Sequence, residues 1–154
     1  VAAGAGLSFV GFADLAVCSE KASFVSAYAK AGLTPDGSSS YFLPRIIGSR
    51  RYLELVMTNR VLLPEEAREW GLINRIFEHN FLYNKTLELA QELSKGPTLA
   101  FGRTKNLVHN TFDSNLEGQM ELETLMISDS SDTYDGKEGI EGFINKRNPN
   151  FLGK

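Results

Sequence analysis

The sequence predicts an α/β fold that becomes entirely helical in its last third. Short strand-like runs at residues 16–18, 23–25 and 72–77 alternate with segments of helical character over the first 95 residues. From about residue 96 onward only helical periodicity is present. The length, 154 residues with 42% hydrophobic and 23% charged side chains, suits one ordinary globular core. One boundary follows: a mixed region over residues 1–95 and a helical region over residues 96–154.

The chain opens Val1-Ala2-Ala3-Gly4-Ala5-Gly6 and then turns apolar over residues 7–13. A glycine-rich turn feeding a helix start leaves backbone N–H groups facing outward, suited to negative charge; small residues equally permit a close-packed turn. With no initiator methionine and no lead-in element, the start reads as entry in mid-motif, and the natural protein is expected to extend further at its N-terminus. After the two strand-like runs comes Thr34-Pro35-Asp36-Gly37-Ser38-Ser39-Ser40. Proline presets φ, aspartate tolerates turn geometry and glycine permits positive φ, so this is a turn; the serines suit a helix N-cap and Gly48 a stop.

A second helix is expected over residues 49–58. A third starts at Pro64, with Glu65 and Glu66 at the positive end of its dipole, and stops at Gly71 before the strand at 72–77. From about residue 80, Leu82, Thr86, Leu89, Ala90 and Leu93 recur at three- and four-residue steps as a buried stripe. Gly96-Pro97 breaks that helix. Further helices are expected over residues 97–110 and 115–128, the latter with Leu116, Met120, Leu122, Leu125 and Met126 inward. Residues 128–135 read as a polar loop with Asp129, Asp132 and Asp135 solvated, and residues 138–146 as a last short helix.

Net charge is −3, which gives no basic surface for nucleic acid. The one cysteine, Cys18, excludes an internal disulfide framework and is expected to be buried on its strand. No apolar run approaches the roughly 20 residues of a membrane span. No cysteine/histidine cluster suggests a metal, and His79 and His109 have no carboxylate at suggestive spacing. A cytoplasmic setting is the default, with peroxisome or mitochondrial matrix as eukaryotic alternatives, although Leu152-Gly153-Lys154 is not a peroxisomal address.

Five segments in order and spacing resemble the crotonase (enoyl-CoA hydratase/isomerase) superfamily. These are Ala2-Ala3-Gly4-Ala5-Gly6 with Asp14-Leu15, and Phe24 with the 32–37 turn and Pro44-Arg45-Ile46-Ile47-Gly48. Glu66-Ala67 with Trp70-Gly71-Leu72-Ile73-Asn74 follows, then Glu138-Gly139-Ile140, then residues 143–151. The resemblance covers essentially the whole chain. It implies part of a ClpP/crotonase-like ββα spiral with a C-terminal helical region for trimerisation and active-site cover. It also implies a homotrimer or a hexamer built as a dimer of trimers, and an acyl-CoA thioester ligand. No cofactor is implied beyond the coenzyme A of the substrate.

By the same resemblance, the Ala5 backbone N–H is one of two oxyanion-hole donors, the other lying upstream of Val1. Ala3, Gly4 and Gly37 line the substrate site. Phe143 and Lys146 match residues that contact the CoA adenine nucleotide, though on their own they read equally as a core ring and a solvated ammonium. The two glutamates of the family's hydratases would fall at Ser8 and Tyr28, neither of which is acidic. Asp36 does match a carboxylate position, that of the family's enoyl-CoA isomerases and epoxyphenylacetyl-CoA isomerases. By itself it could be a turn or capping aspartate. The expected activity is isomerisation of 3-enoyl- to 2-enoyl-CoA with Asp36 as acid/base, in surroundings to which Leu33, Tyr41 and Phe42 are expected to contribute. The alternatives are a hydratase or other crotonase reaction, and a non-catalytic acyl-CoA- or protein-binding domain of chromodomain Y-like type.

Overall fold

The computed structural model describes all of residues 1–154. Two compact units make up the chain, Val1–Thr86 and Leu87–Lys154. The division falls inside a helix, whereas the change of sequence character lies at residue 96.

The first unit runs β1 (Ala2–Ala3), α1 (Ala5–Phe12), β2 (Val17–Ser19), β3 (Phe24–Val25), a 3₁₀ turn (Tyr28–Ala31), α2 (Ser39–Ile47), α3 (Ser49–Thr58), α4 (Pro64–Glu69) and β4 (Arg75–Phe77). β1 pairs in parallel with β3, Ala2 opposite Phe24 and Ala3 opposite Val25. β2 pairs in parallel with β4, Cys18 opposite Ile76. Parallel pairs need crossover connections; α1 with β2 supplies the first, and α2 to α4 supply the second. Strands of two or three residues cannot hold themselves together, so the helices carry the core. Leu43 of α2, Leu55 of α3 and Leu62 before α4 lose essentially all exposure, each worth about 2 kcal/mol.

Local signals explain most element ends. Pro64 opens α4 with Glu65 and Glu66 in its first turn. Gly71, at φ +82°, closes it, with the Gly71 N–H donating to Arg68 O and the Leu72 N–H to Ala67 O. That pair of bonds is a Schellman closure. It occupies Leu72, and Leu72 and Ile73 then bury in the core, so the strand expected over 72–77 begins only at Arg75. Ser38 precedes α2 but does not cap it through its side chain. Its carbonyl accepts the Tyr41 and Phe42 N–H groups instead, because φ +61° at Ser38 is fixed by the preceding turn.

Helix α5 (Leu82–Ser94) runs through the division, and α6 (Thr98–Asn110), α7 (Leu116–Ser131) and α8 (Tyr134–Ile144) complete the chain. Asn115 Oδ1 caps α7 at the Gly118 N–H, 2.9 Å away, and Thr133 Oγ1 caps α8 at the Gly136 N–H, 2.9 Å. The loop expected over 128–135 is corrected: helix continues to Ser131 and restarts at Tyr134. The reversal is this tight because Gly136 has no side chain; a Cβ there would collide with the Ser130 carbonyl. Asp135 is correspondingly not solvated but 3% exposed.

Two stripes expected to face inward do so only in part: Leu82, Thr86 and Leu89 of α5 and Leu122 and Met126 of α7 are half-buried. Ala90 and Leu93 of α5 are exposed, as are Leu116 (70%), Met120 (57%) and Leu125 (55%) of α7. The periodicity is real, but a helical stripe is buried only where it meets an opposing surface; α7 packs on α6, with Gln119 Nε2 donating to Leu107 O at 3.1 Å, while the remaining positions of the stripe stay open. No helix is long and apolar enough to cross a membrane.

Candidate active site

The site begins where β1 ends. Gly4 adopts φ +55°, its N–H donates to Val25 O at 3.1 Å, and its carbonyl accepts the Leu7 (2.9 Å) and Ser8 (3.3 Å) N–H groups. The parallel pairing of β1 with β3 therefore fixes where α1 starts. Ala5 is the first residue of that helix and is exposed. Its amide belongs to the first turn, which has no carbonyl four residues back to donate to and sits at the positive end of the dipole. Ala3 is exposed and Gly4 half-buried just before it.

One turn into α1, Ser8 is 2% exposed and donates from Oγ to the Asp36 backbone carbonyl at 2.9 Å. The same carbonyl accepts the Ser39 N–H at 3.2 Å. Between them Gly37 has φ +59° and Ser38 φ +61°, the two left-handed residues of a type I′ turn. A Cβ on Gly37 would lie 3.1 Å from Ser8 Cβ. Glycine is needed here both for φ and because the turn rests directly on α1.

The Asp36 side chain meets a residue from another element. Tyr28 Oη donates to Asp36 Oδ1 at 2.5 Å, a short bond of the charge-assisted kind. Accepting that bond, the Asp36 carboxylate pushes the Tyr28 phenol up, with partial burial adding to the effect. The phenol thus stays protonated as a donor. Tyr28 is placed by Ala27, which takes φ +67° and donates its N–H to the buried Asn59 Oδ1 at 2.7 Å. A Cβ on Gly4 would lie 3.7 Å from Tyr28 Cζ, so the phenol ring faces the glycine that opens α1.

Asp36 is solvent-exposed in this chain. Of the apolar residues expected around it, Leu33 is 63% exposed. Phe42 stacks edge-on to Tyr41 at 5.1 Å and tilts toward Phe12 at 6.5 Å, and Arg45 lies 3.8 Å over the Tyr41 ring. Ala3, Gly4, Ala5, Asp36 and Gly37 are thus all held around the first turns of α1. Phe143 and Lys146 belong to the second unit. Phe143 is 86% exposed at the end of α8, and Lys146 takes φ +53° just beyond it.

Three contributors escape a reading of the sequence. Tyr28 and Ser8 stand out there only as positions without an acid. Asn59 carries a signal for a helix end, where asparagine tolerates left-handed geometry, but nothing for its reach to Ala27. Elsewhere, Cys18 is 7% exposed on β2, and burial, with the Glu65 carboxylate adding, pushes its thiol up, an inert combination. His79 is exposed. Its Nδ1 lies 3.2 Å from Ser19 Oγ, and its backbone N–H holds the Glu20 carboxyl below the usual range. No group of three or more His, Cys, Asp or Glu side chains converges.

Comparison with known proteins places this geometry. A family model described as enoyl-CoA hydratase/isomerase matches residues 1–154. The chain is 33% identical over 154 residues to 1,2-epoxyphenylacetyl-CoA isomerase of Escherichia coli K12, covering all of this chain and 59% of that protein. It is 40% identical over 122 residues to 4-chlorobenzoyl coenzyme A dehalogenase-1 of an Arthrobacter species, covering 79% of this chain and 44% of the relative. The crystal structure of an enoyl-CoA hydratase/isomerase from Cupriavidus metallidurans CH34 superposes with a TM-score of 0.92 at 32% identity, covering 99% of this chain and 57% of that one. The chain thus has the crotonase fold and spans well under two thirds of the length of these relatives.

Proposed function

Because the chain belongs to the enoyl-CoA hydratase/isomerase family of the crotonase superfamily, we propose that the full-length protein isomerises an unsaturated acyl-CoA, moving a 3-enoyl double bond to the 2-position. Asp36 is the acid/base. Its carboxylate takes a proton from C2, the C–H electron pair passes into the thioester, and the charge settles on the carbonyl oxygen as a dienolate. The Ala5 N–H receives that oxygen, together with a second donor outside this chain. Asp36 then returns the proton at C4. An oxyanion donor of this type is worth roughly a hundred- to thousand-fold in rate.

The observation that carries the proposal is the placement of Asp36. Its carboxylate is fixed by Tyr28 Oη and its backbone by Ser8 Oγ, beside the helix start that bears the Ala5 amide. Those two partners are a phenol and a hydroxyl, so Asp36 is the carboxylate of this group, and a single carboxylate suits a proton shuttle between two carbons. Gly4, Ala3 and Gly37 present backbone to the substrate, while Phe143 and Lys146 contact the CoA nucleotide, the ring stacking on the base and the ammonium facing phosphate. The exposed apolar face of α7 supports assembly as a trimer or dimer of trimers.

A second reading is favoured by the 40% identity to a 4-chlorobenzoyl coenzyme A dehalogenase. Displacing an aryl halide requires a nucleophile, and an exposed carboxylate can serve as one. One experiment separates the two. The full-length protein and its Asp36→Asn variant are incubated with 3-enoyl-CoA and, in parallel, with 4-chlorobenzoyl-CoA. We expect 2-enoyl-CoA formation that falls by a factor of about 10³ in the variant with KM nearly unchanged. Chloride release without isomerisation establishes the second reading. Turnover unaffected by the substitution removes Asp36 from the chemistry, and CoA binding without turnover of either substrate makes the domain a binding module.

A further inference from the structure

We propose that Tyr28 is a positioning residue for Asp36: its phenol engages Oδ1 and thereby leaves Oδ2 as the one oxygen that takes and returns the substrate proton. The proposal rests on Asp36 being the acid/base. A carboxylate has two equivalent oxygens and turns freely about its last bond unless something breaks the symmetry. Here the 2.5 Å bond from Tyr28 Oη breaks it. The anchor is itself anchored, since the Ala27 N–H is held by Asn59 Oδ1 at 2.7 Å. Asn59 is 8% exposed, so this support is built into the core.

The arrangement has a chemical consequence. The C2–H bond breaks as an Oδ2–H bond forms, and the reverse occurs at C4, with the electron pair stored meanwhile in the dienolate. With Oδ1 occupied by a donor, the captured proton has no second oxygen to move to and stays on the one oxygen that serves both carbons. A label carried in from C2 should therefore be delivered to C4 rather than lost.

The test uses the full-length protein and 3-enoyl-CoA deuterated at C2. Wild type should retain a substantial share of the deuterium at C4. Tyr28→Phe, which removes one oxygen atom from a half-buried ring, should lower kcat about tenfold with KM within about twofold, and deuterium retention should fall toward zero. Retention and kcat at wild-type level in Tyr28→Phe, with Asp36→Asn inactive, overturn this role and leave Asp36 in place. A fully active Asp36→Asn overturns both. A readout independent of turnover is the ¹⁹F titration of 3-fluorotyrosine at position 28. Its midpoint should drop when Asp36→Asn removes the neighbouring charge, and an unmoved midpoint contradicts the pairing.

Discussion

At Asp36 the backbone is as firmly engaged as the carboxylate: Ser8 Oγ and the Ser39 N–H both end on its carbonyl. The turn therefore transmits the position of α1 to the acid. Gly37 is the residue on which this depends. Alanine there would be strained at φ +59° and would press its Cβ against Ser8. Gly37→Ala should cost about 1–2 kcal/mol in urea unfolding and lower kcat, because relief of the clash moves Asp36. Stability and turnover both at wild-type values would contradict the close packing of turn on helix. At this scale the sequence was legible where the determinant is local. Pro-Asp-Gly signals its own turn, and the glycine-rich run at 4–6 signals the start of α1. Tyr28 and Ser8 were not legible as partners of Asp36, because those contacts join residues 8 and 28 positions apart. The bond from Ala27 to Asn59 spans 32 positions and rests on two left-handed residues that nothing in their side chains demands.

At the scale of the element, the end of the chain is closed onto α8 by two carboxylates. Buried Asp135 accepts the Leu152 (2.7 Å) and Gly153 (2.9 Å) N–H groups. Glu138 pairs with Arg147 through two bonds, 2.6 and 2.8 Å, and accepts the Asn150 N–H at 2.8 Å. Asp135→Ala takes the shared acceptor from two backbone donors and should destabilise the second unit by about 1–3 kcal/mol, read by hydrogen exchange of α8 amides. Arg147 and the Asn150 amide hold the Glu138 carboxyl at about 2, down from 4.5. A depressed carboxyl stabilises fully above its unfolded value and loses that contribution as pH falls through its folded one. Protection of the Asn150 amide, taken relative to its intrinsic exchange rate at each pH, should therefore be full above pH 4.5 and decline toward pH 2; protection constant across that window contradicts the clasp. Lys146, left-handed at φ +53°, closes α8, with its own N–H on Phe143 O and that of Arg147 on Gly142 O. Lys146→Gly should raise stability by about 1 kcal/mol while weakening CoA binding in a calorimetric titration. Unaltered affinity would remove Lys146 from the CoA site.

Across the whole molecule, helix positions were read well from periodicity and caps, and helix surroundings were not. A stripe of Leu116, Met120 and Leu125 announces a buried face without saying what buries it. In this chain the face is exposed, which supports a role in assembly. Full-length protein should sediment as a trimer or hexamer at micromolar concentration, and Met120→Glu with Leu125→Glu should shift it to smaller species that retain helical circular dichroism. Wild type running as a monomer would contradict that assignment. The chain's chemistry has a more direct test. Full-length protein incubated with an unsaturated acyl-CoA in D₂O should take up deuterium at the carbons flanking the double bond, in the share of turnovers that do not return the substrate's own proton, and Asp36→Asn should do so at least about a hundred times more slowly. Equal exchange by the two proteins would show that the proton is carried by some other group.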